Sequence, residues 1–160
     1  MGESIGEGFT METVTIERVI AAPAKDVFEW LADASNYPRA TRVVLRQQLT
    51  TPGEDAPYGR NAVRQLLWVV GWFRERITSY DPPYEFGYLV ERSFPPSRHE
   101  GGKLAFTEVS GGTRVVWTTT AEVRLPFAAT LTRLLMKPGV TYIFGKVLDA
   151  AAAELTKASS

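Results

Sequence analysis

Residues Trp72–Val123 read WFRERITSYDPPYEFGYLVERSFPPSRHEGGKLAFTEVSGGTRVVWTTTAEV. Phe73, Glu75 and Ile77 alternate with Arg74, Arg76 and Thr78, the period-two pattern of a half-buried strand. Asp81-Pro82-Pro83 stops that strand, because proline cannot donate to a ladder. Tyr84–Arg92 resumes extended structure with Phe86, Tyr88 and Val90 on one side, and Pro95-Pro96 ends it. Lys103–Val109 places Leu104 and Phe106 on one face. Ser110-Gly111-Gly112 is a hairpin signal, since glycine tolerates the positive φ of tight turns. In Thr113–Val123 the residues Thr113, Val115, Trp117, Thr119, Ala121 and Val123 face one way. Arg114, Thr118, Thr120, Glu122 and Arg124 are expected to face water. Strands joined by short turns form a meander, and a meander must bury one face against another element.

Working toward the N-terminus, Asn61–Val69 and Val43–Leu49 read as strands flanking a turn-rich loop, Thr51–Gly59. A further strand covers Thr13–Ala21, with Val14, Ile16 and Ile20 on one side. Pro23 sits where a helix can begin, because the first helical N–H has no intrahelical partner to lose. Val27, Phe28, Trp30 and Leu31 follow at helical spacing, and Asn36-Tyr37-Pro38 marks a second helical turn. Working toward the C-terminus, Ala128–Met136 is apolar, and Val140, Phe144, Val147, Leu148, Ala151 and Leu155 form one helical stripe. Pro138 is expected to break or kink this helix into two pieces. The order of strand, two short helices, six strands and one helix argues for an α+β fold. Residues 1–12 are read as a flexible tail and 13–158 as a single domain.

The chain has 160 residues and 44% hydrophobic residues, enough for one core without staples. Lys plus Arg equals Asp plus Glu at 18 each. No basic excess is present to neutralise phosphates, so no nucleic-acid partner is expected. With no cysteine there is no disulfide framework or thiolate nucleophile, and with one histidine no catalytic zinc site is expected. Nothing resembles a phosphate-cradling loop. No cofactor is expected. No secretory signal is read at the start, and no apolar run is long enough for a stable membrane insertion. The expectation is a cytoplasmic protein, monomeric or weakly dimeric.

Four stretches resemble one known superfamily. VIAAPAKDVFEWLAD (Val19–Asp33) is similar to its first strand running through Ala-Pro into a helix, and Asn36-Tyr37-Pro38 to the segment that follows. ERITSYDPPYEFGYLV (Glu75–Val90) and GGTRVVWTT (Gly111–Thr119) are similar to two of its later strands. Their order resembles the START-like, Bet v 1-like (SRPBCC) superfamily, in particular its bacterial polyketide cyclase/dehydrase and lipid-transport group. The resemblance implies a helix-grip fold. In it a seven-stranded antiparallel sheet wraps around a long C-terminal helix, two short helices follow the first strand, and a ligand cavity lies between sheet and helix. Members bind lipids, hormones, polyketides or quinones, and some are cyclases or aromatases; the fold alone does not choose among them.

Ligand pockets are apolar with a few placed polar groups, so polar residues at inward parity are the candidates. Glu75 lies on the apolar side of its strand, and Arg64 shares the parity of Ala62, Leu66 and Trp68. Arg64 also resembles the Arg that closes a family Gly-x-x-x-x-Arg stretch, here Gly59–Arg64. A carboxylate on a concave face needs a cation beside it to stay charged, and Arg64 can supply one. The two form either a cavity pair that orients ligand or transfers protons, or an edge pair with no such role. Trp117, Thr119, Tyr88, Phe106, Phe73 and Phe144 are the other expected cavity residues. Leu135 belongs to a Leu131, Leu134, Leu135, Met136 cluster expected at a lid or entrance. Tyr142 either turns its hydroxyl inward or stays exposed. His99 is read as an exposed loop histidine. The resulting expectation is a carrier or sensor for a hydrophobic small molecule such as a lipid, isoprenoid or polyketide-like compound. The alternatives are a cyclase, aromatase or dehydratase using Glu75, Arg64 and Tyr88, or a protein–protein module of co-chaperone type.

Overall fold

The computed structural model describes residues 11–123 and 129–158. Strand β1 (Glu12–Ile20) leads through Pro23 into helix α1 (Ala24–Ala32) and the short helix α2 (Asn36–Ala40). Strands β2 (Val44–Thr51), β3 (Val63–Trp68), β4 (Gly71–Asp81), β5 (Glu85–Phe94), β6 (Ser97–Val109) and β7 (Gly112–Val123) follow, and helix α3 (Ala129–Lys157) closes the chain. The strands form one seven-stranded sheet in the order β1-β7-β6-β5-β4-β3-β2. Every pairing is antiparallel. The expected tail lies outside the described residues except for Met11 and Glu12; Glu12 is already paired with Ala121 in the sheet. The outward reading of Arg124 and the start of the last helix at Ala128 also fall outside them.

Period-two patterning places the core. Val14, Ile16 and Ile20 of β1, and Thr113, Val115, Trp117, Thr119 and Ala121 of β7, are buried on the concave face. Glu122, expected in water, is buried as well. The turn between β6 and β7 is tight, with Val109 opposite Gly112 and Gly111 at φ 91°, a conformation costly for any residue with a Cβ.

Helix α1 begins just after Pro23, which caps it in extended conformation. Its apolar face sends Val27, Phe28 and Leu31 fully into the core. Phe28 makes edge-on contacts with Tyr80, Phe86 and Phe106, with ring centroids 5.3, 5.6 and 5.2 Å apart. Such contacts add to the apolar area buried. Tyr37 of α2 donates its hydroxyl hydrogen to the Leu31 carbonyl. Arg39 and the Trp30 indole both bond Glu154, at 2.6 and 2.8 Å, and pin the short helices to the far end of α3.

Helix α3 is not in two pieces. It runs unbroken from Ala129 to Lys157 with Pro138 inside it. Proline at 138 removes the donor for the Leu134 carbonyl. Leu134, Leu135, Lys137 and Pro138 are all exposed, so water can satisfy that carbonyl. The sequence marks the proline but not the solvent that tolerates it. Beyond it, Ile143, Phe144, Val147, Leu148 and Ala151 are buried against the sheet.

Candidate ligand-binding site

Sheet and helix do not meet everywhere. Between the middle of α3 and strands β3 to β7 lies a cavity of about 330 Å³. Trp68, Val70, Phe73, Val90, Trp117, Ala121 and Val123 supply its apolar walls from the sheet. Leu135, Met136, Gly139, Val140, Ile143 and Phe144 supply the helix side. Trp117 and Phe144 stack at 3.8 Å between centroids, with planes 11° apart, where the helix rests on the sheet. Leu135 lines the cavity while more than half exposed, so it belongs to the rim. The Leu131 side chain lies outside the described residues.

The polar groups gather on strands β3 to β7. Arg64 and Glu75 stand directly opposite each other in the β3–β4 register. Arg64 Nε donates to Glu75 Oε2 at 2.9 Å, and both side chains are buried. The pair is interior to the sheet, not at its edge. Burial opposes the guanidinium charge, but the Glu75 charge and hydrogen bond outweigh it and hold the Arg64 pKa above its ordinary value. The guanidinium also sits 6.0 Å from the Tyr37 ring centroid and 5.9 Å from that of Tyr88, within cation–π range. Arg64 Nη1 is buried without a hydrogen-bond partner.

Tyr88 reaches the cavity over β6. Gly102 lies opposite it in the β5–β6 register, and a Cβ at Gly102 would overlap the Tyr88 ring. The Trp117 Nε1–H donates to Tyr88 Oη at 2.9 Å. Burial raises the pKa of both cavity phenols, that of Tyr37 to about 12, so they stay protonated.

His99 departs most from the sequence reading. It is not on an exposed loop. Strand β6 begins at Ser97, earlier than expected, and carries His99 into the cavity wall. The β5–β6 ladder stops at Tyr88–Gly102. Past that point the Val90 N–H donates to His99 Nδ1 at 3.0 Å, so a side chain takes the place of a ladder bond. The imidazole stacks on the Tyr88 ring, 5.5 Å between centroids, and Nε2 bonds Thr119 Oγ1 at 2.8 Å. Burial lowers its pKa to about 4. The sequence carries no local signal for this placement: Gly101-Gly102 lies within β6, next to a register shift between His99 and Gly101.

Of the residues expected in the cavity, Arg64, Glu75, Tyr88, Phe73, Trp117, Thr119, Leu135 and Phe144 line it. Phe106 does not. It is buried at the other end of the sheet, against Phe28 and Phe86, because α1 fills that end. Tyr142 does not either. It is exposed, with Lys146 Nζ 5.3 Å from its ring centroid. Two residues on a helix differ by about 200° in direction, and Val140 and Phe144 face inward. Tyr37, Val90, Ser97 and His99 line the cavity without having been singled out for it. Among the described residues no cluster of His, Cys, Asp or Glu could hold a metal ion, and no helix is long and apolar enough to cross a membrane.

A curved sheet closed by one long helix over an interior hollow defines the helix-grip class of ligand-cavity folds. Residues 11–159 match the family described as polyketide cyclase / dehydrase and lipid transport, and the chain belongs to it. Among solved structures it is similar to the Zhui aromatase/cyclase from Streptomyces sp. R1128, at 20% identity and TM-score 0.80, covering 94% of this chain and 97% of that one. It is also similar to a Thermus thermophilus protein, TTHA0849, at 20% identity and TM-score 0.78, covering 93% and 100%. A START superfamily protein from Mycobacterium smegmatis matches at 14% identity and TM-score 0.65, covering 92% and 97%. At these identities the likeness shows the fold alone. No curated protein sequence matches.

Proposed function

We propose that the protein binds an apolar small molecule in the cavity between sheet and α3, as a carrier or sensor for a lipid, isoprenoid or polyketide-like compound. One observation carries this reading: a cavity of about 330 Å³ inside the fold, walled mainly by apolar side chains. Packed cores leave few voids larger than a water molecule, so a hollow of this size is a feature to be filled. On this reading it acts as a monomer or weak homodimer. Mass spectrometry under native conditions, on protein purified from its own host, tests the reading. A retained, unmodified apolar molecule supports it. A protein that carries nothing and takes up no apolar probe overturns it.

A second reading is supported by the polar groups on the same wall. Arg64, Glu75, Tyr88 and His99 converge on one cavity, and an aromatase/cyclase is among the proteins of similar fold. On that reading the chain is a cyclase, aromatase or dehydratase acting on a poly-β-ketone, with Tyr88 and Arg64 positioning carbonyl oxygens. Turnover of a poly-β-ketone mimic would favour it over carriage. The cavity gives the co-chaperone reading less support, since a surface-docking module has no need of one.

A further inference from the structure

The hydrogen bonds of the cavity wall determine what kind of polar group a ligand can bring, given that the cavity holds a ligand. The Val90 N–H donates to His99 Nδ1, so that nitrogen is an acceptor and carries no proton. The neutral ring therefore has its hydrogen on Nε2 and donates it to Thr119 Oγ1. His99 acts as a donor into the cavity wall and not as a free base. The Trp117 N–H donates to Tyr88 Oη. Thr119 and Tyr88 line the same cavity.

The polar hydrogens that meet here are those of His99 Nε2, Trp117 Nε1, Thr119 Oγ1 and Tyr88 Oη. Thr119 and Tyr88 supply the oxygens that accept them. The His99 and Trp117 hydrogens are each placed on one of these oxygens. Even a bond between the two hydroxyls would consume only one more hydrogen, in either direction. At least one hydroxyl hydrogen is therefore left over, and among the described residues no other partner takes it. The adjacent Arg64 Nη1, buried and unpartnered, offers further donors. Charge balance adds a second constraint. Among the described lining residues Arg64 and Glu75 are the only charged pair, and they already neutralise each other.

We infer that the cavity selects an uncharged molecule that presents a hydrogen-bond acceptor oxygen, such as a ketone, ester, lactone or quinone carbonyl, to Arg64 Nη1 and the Tyr88–Thr119 hydroxyl pair. A carboxylate would be desolvated beside a cation already engaged with Glu75. An ammonium would face these donors, with only the Glu75 carboxylate, already engaged by Arg64, to accept from it. A pure hydrocarbon would leave the donors unpaired, and unpaired buried polar groups are costly. This inference rests on the ligand-cavity reading above and deepens it. His99 is a positioning residue on this account: it fixes the direction of the Thr119 hydroxyl through its tautomer.

Three probes of one shape test it: 2-acetylnaphthalene, 2-ethylnaphthalene and 2-naphthoate, titrated at neutral pH by calorimetry. The ketone is expected to bind at least about tenfold more tightly than either, the worth of one well-made hydrogen bond or more. Thr119→Val should lower ketone affinity by several-fold and narrow its advantage over ethylnaphthalene, while Thr119→Ser should restore the preference. In Glu75→Gln the Arg64 charge is no longer balanced, and naphthoate should become the tightest of the three; ethylnaphthalene binding verifies that the variant is folded. Naphthoate binding most tightly to the unmodified protein, or the ketone and hydrocarbon binding equally, overturns the inference while leaving the cavity reading intact. If none of the three binds, the cavity reading itself fails and this inference falls with it.

Discussion

The two ends of the space between sheet and α3 are built from the same materials and end differently. At one end Phe28 of α1 enters among Tyr80, Phe86 and Phe106 and fills it. At the other, no α1 residue lines the hollow; α2 contributes Tyr37 and the rest comes from the sheet, the connections between its strands and α3. Both ends carry inward aromatic residues, so aromatic content does not separate core from pocket. What separates them is whether a short helix reaches in. The polar side chains follow the same division. Arg64, Glu75, His99 and Thr119 all lie at the hollow end.

The comparison breaks first where charge is buried. Arg64→Met alone should cost about 3–5 kcal/mol, because Glu75 is left buried without its cation. Urea denaturation of Arg64→Met, and of Arg64→Met with Glu75→Leu, measures this; the double variant should recover most of the loss. Phe28→Ala, at the filled end, should cost a similar ~3–5 kcal/mol through the cavity it creates. If that variant loses less than about 1 kcal/mol, the filled end is not the structural end.

His99 gives the next effect, and its sign follows from burial. Its conjugate acid forms only near pH 4 in the folded protein, against about 6.5 in an unfolded chain. Above about pH 6.5 both states are neutral and the stability is complete. As pH falls from there toward 4, the unfolded chain takes up a proton that the folded one refuses, and stability declines. Discounted for partial exposure, the loss is on the order of 2 kcal/mol. Denaturation midpoints measured against pH should show this slope, and His99→Gln should flatten it.

At the hollow end, Ala121→Phe should fill space instead of breaking structure. The expected result is at least about a tenfold loss of affinity for 2-acetylnaphthalene, with stability changed by less than about 1 kcal/mol. An equal loss of stability to that of Phe28→Ala would mean that the two ends do not differ. The smallest effect belongs to Tyr142→Ala. That side chain is exposed, so stability should stay within about 0.5 kcal/mol and probe affinity should not move.

Much of this was legible in the chain. The alternation from Phe73 to Val123 fixed which faces turn inward, because side chains on a strand alternate regardless of what lies opposite. The Arg64–Glu75 pairing was legible for the same reason: both break an apolar parity on neighbouring strands, and the register sets them side by side. His99 was not legible. Its place depends on the β5–β6 ladder stopping at Tyr88 and on Gly101-Gly102 continuing a strand, and short-range pattern does not encode where a ladder ends. The place of Phe106 and the choice left open for Tyr142 were not legible for related reasons. One depends on which end α1 fills, the other on the rotation of a helix that Pro138 does not interrupt.

By itself the sequence determined the faces: which residues turn inward on each strand and along the closing helix, and hence a sheet that must grip that helix. Only the tertiary structure decided where those faces touch and where they stand apart. Parity is a local property of the backbone, whereas a hollow, and the hydrogens left over on its walls, depend on packing between segments distant in the chain.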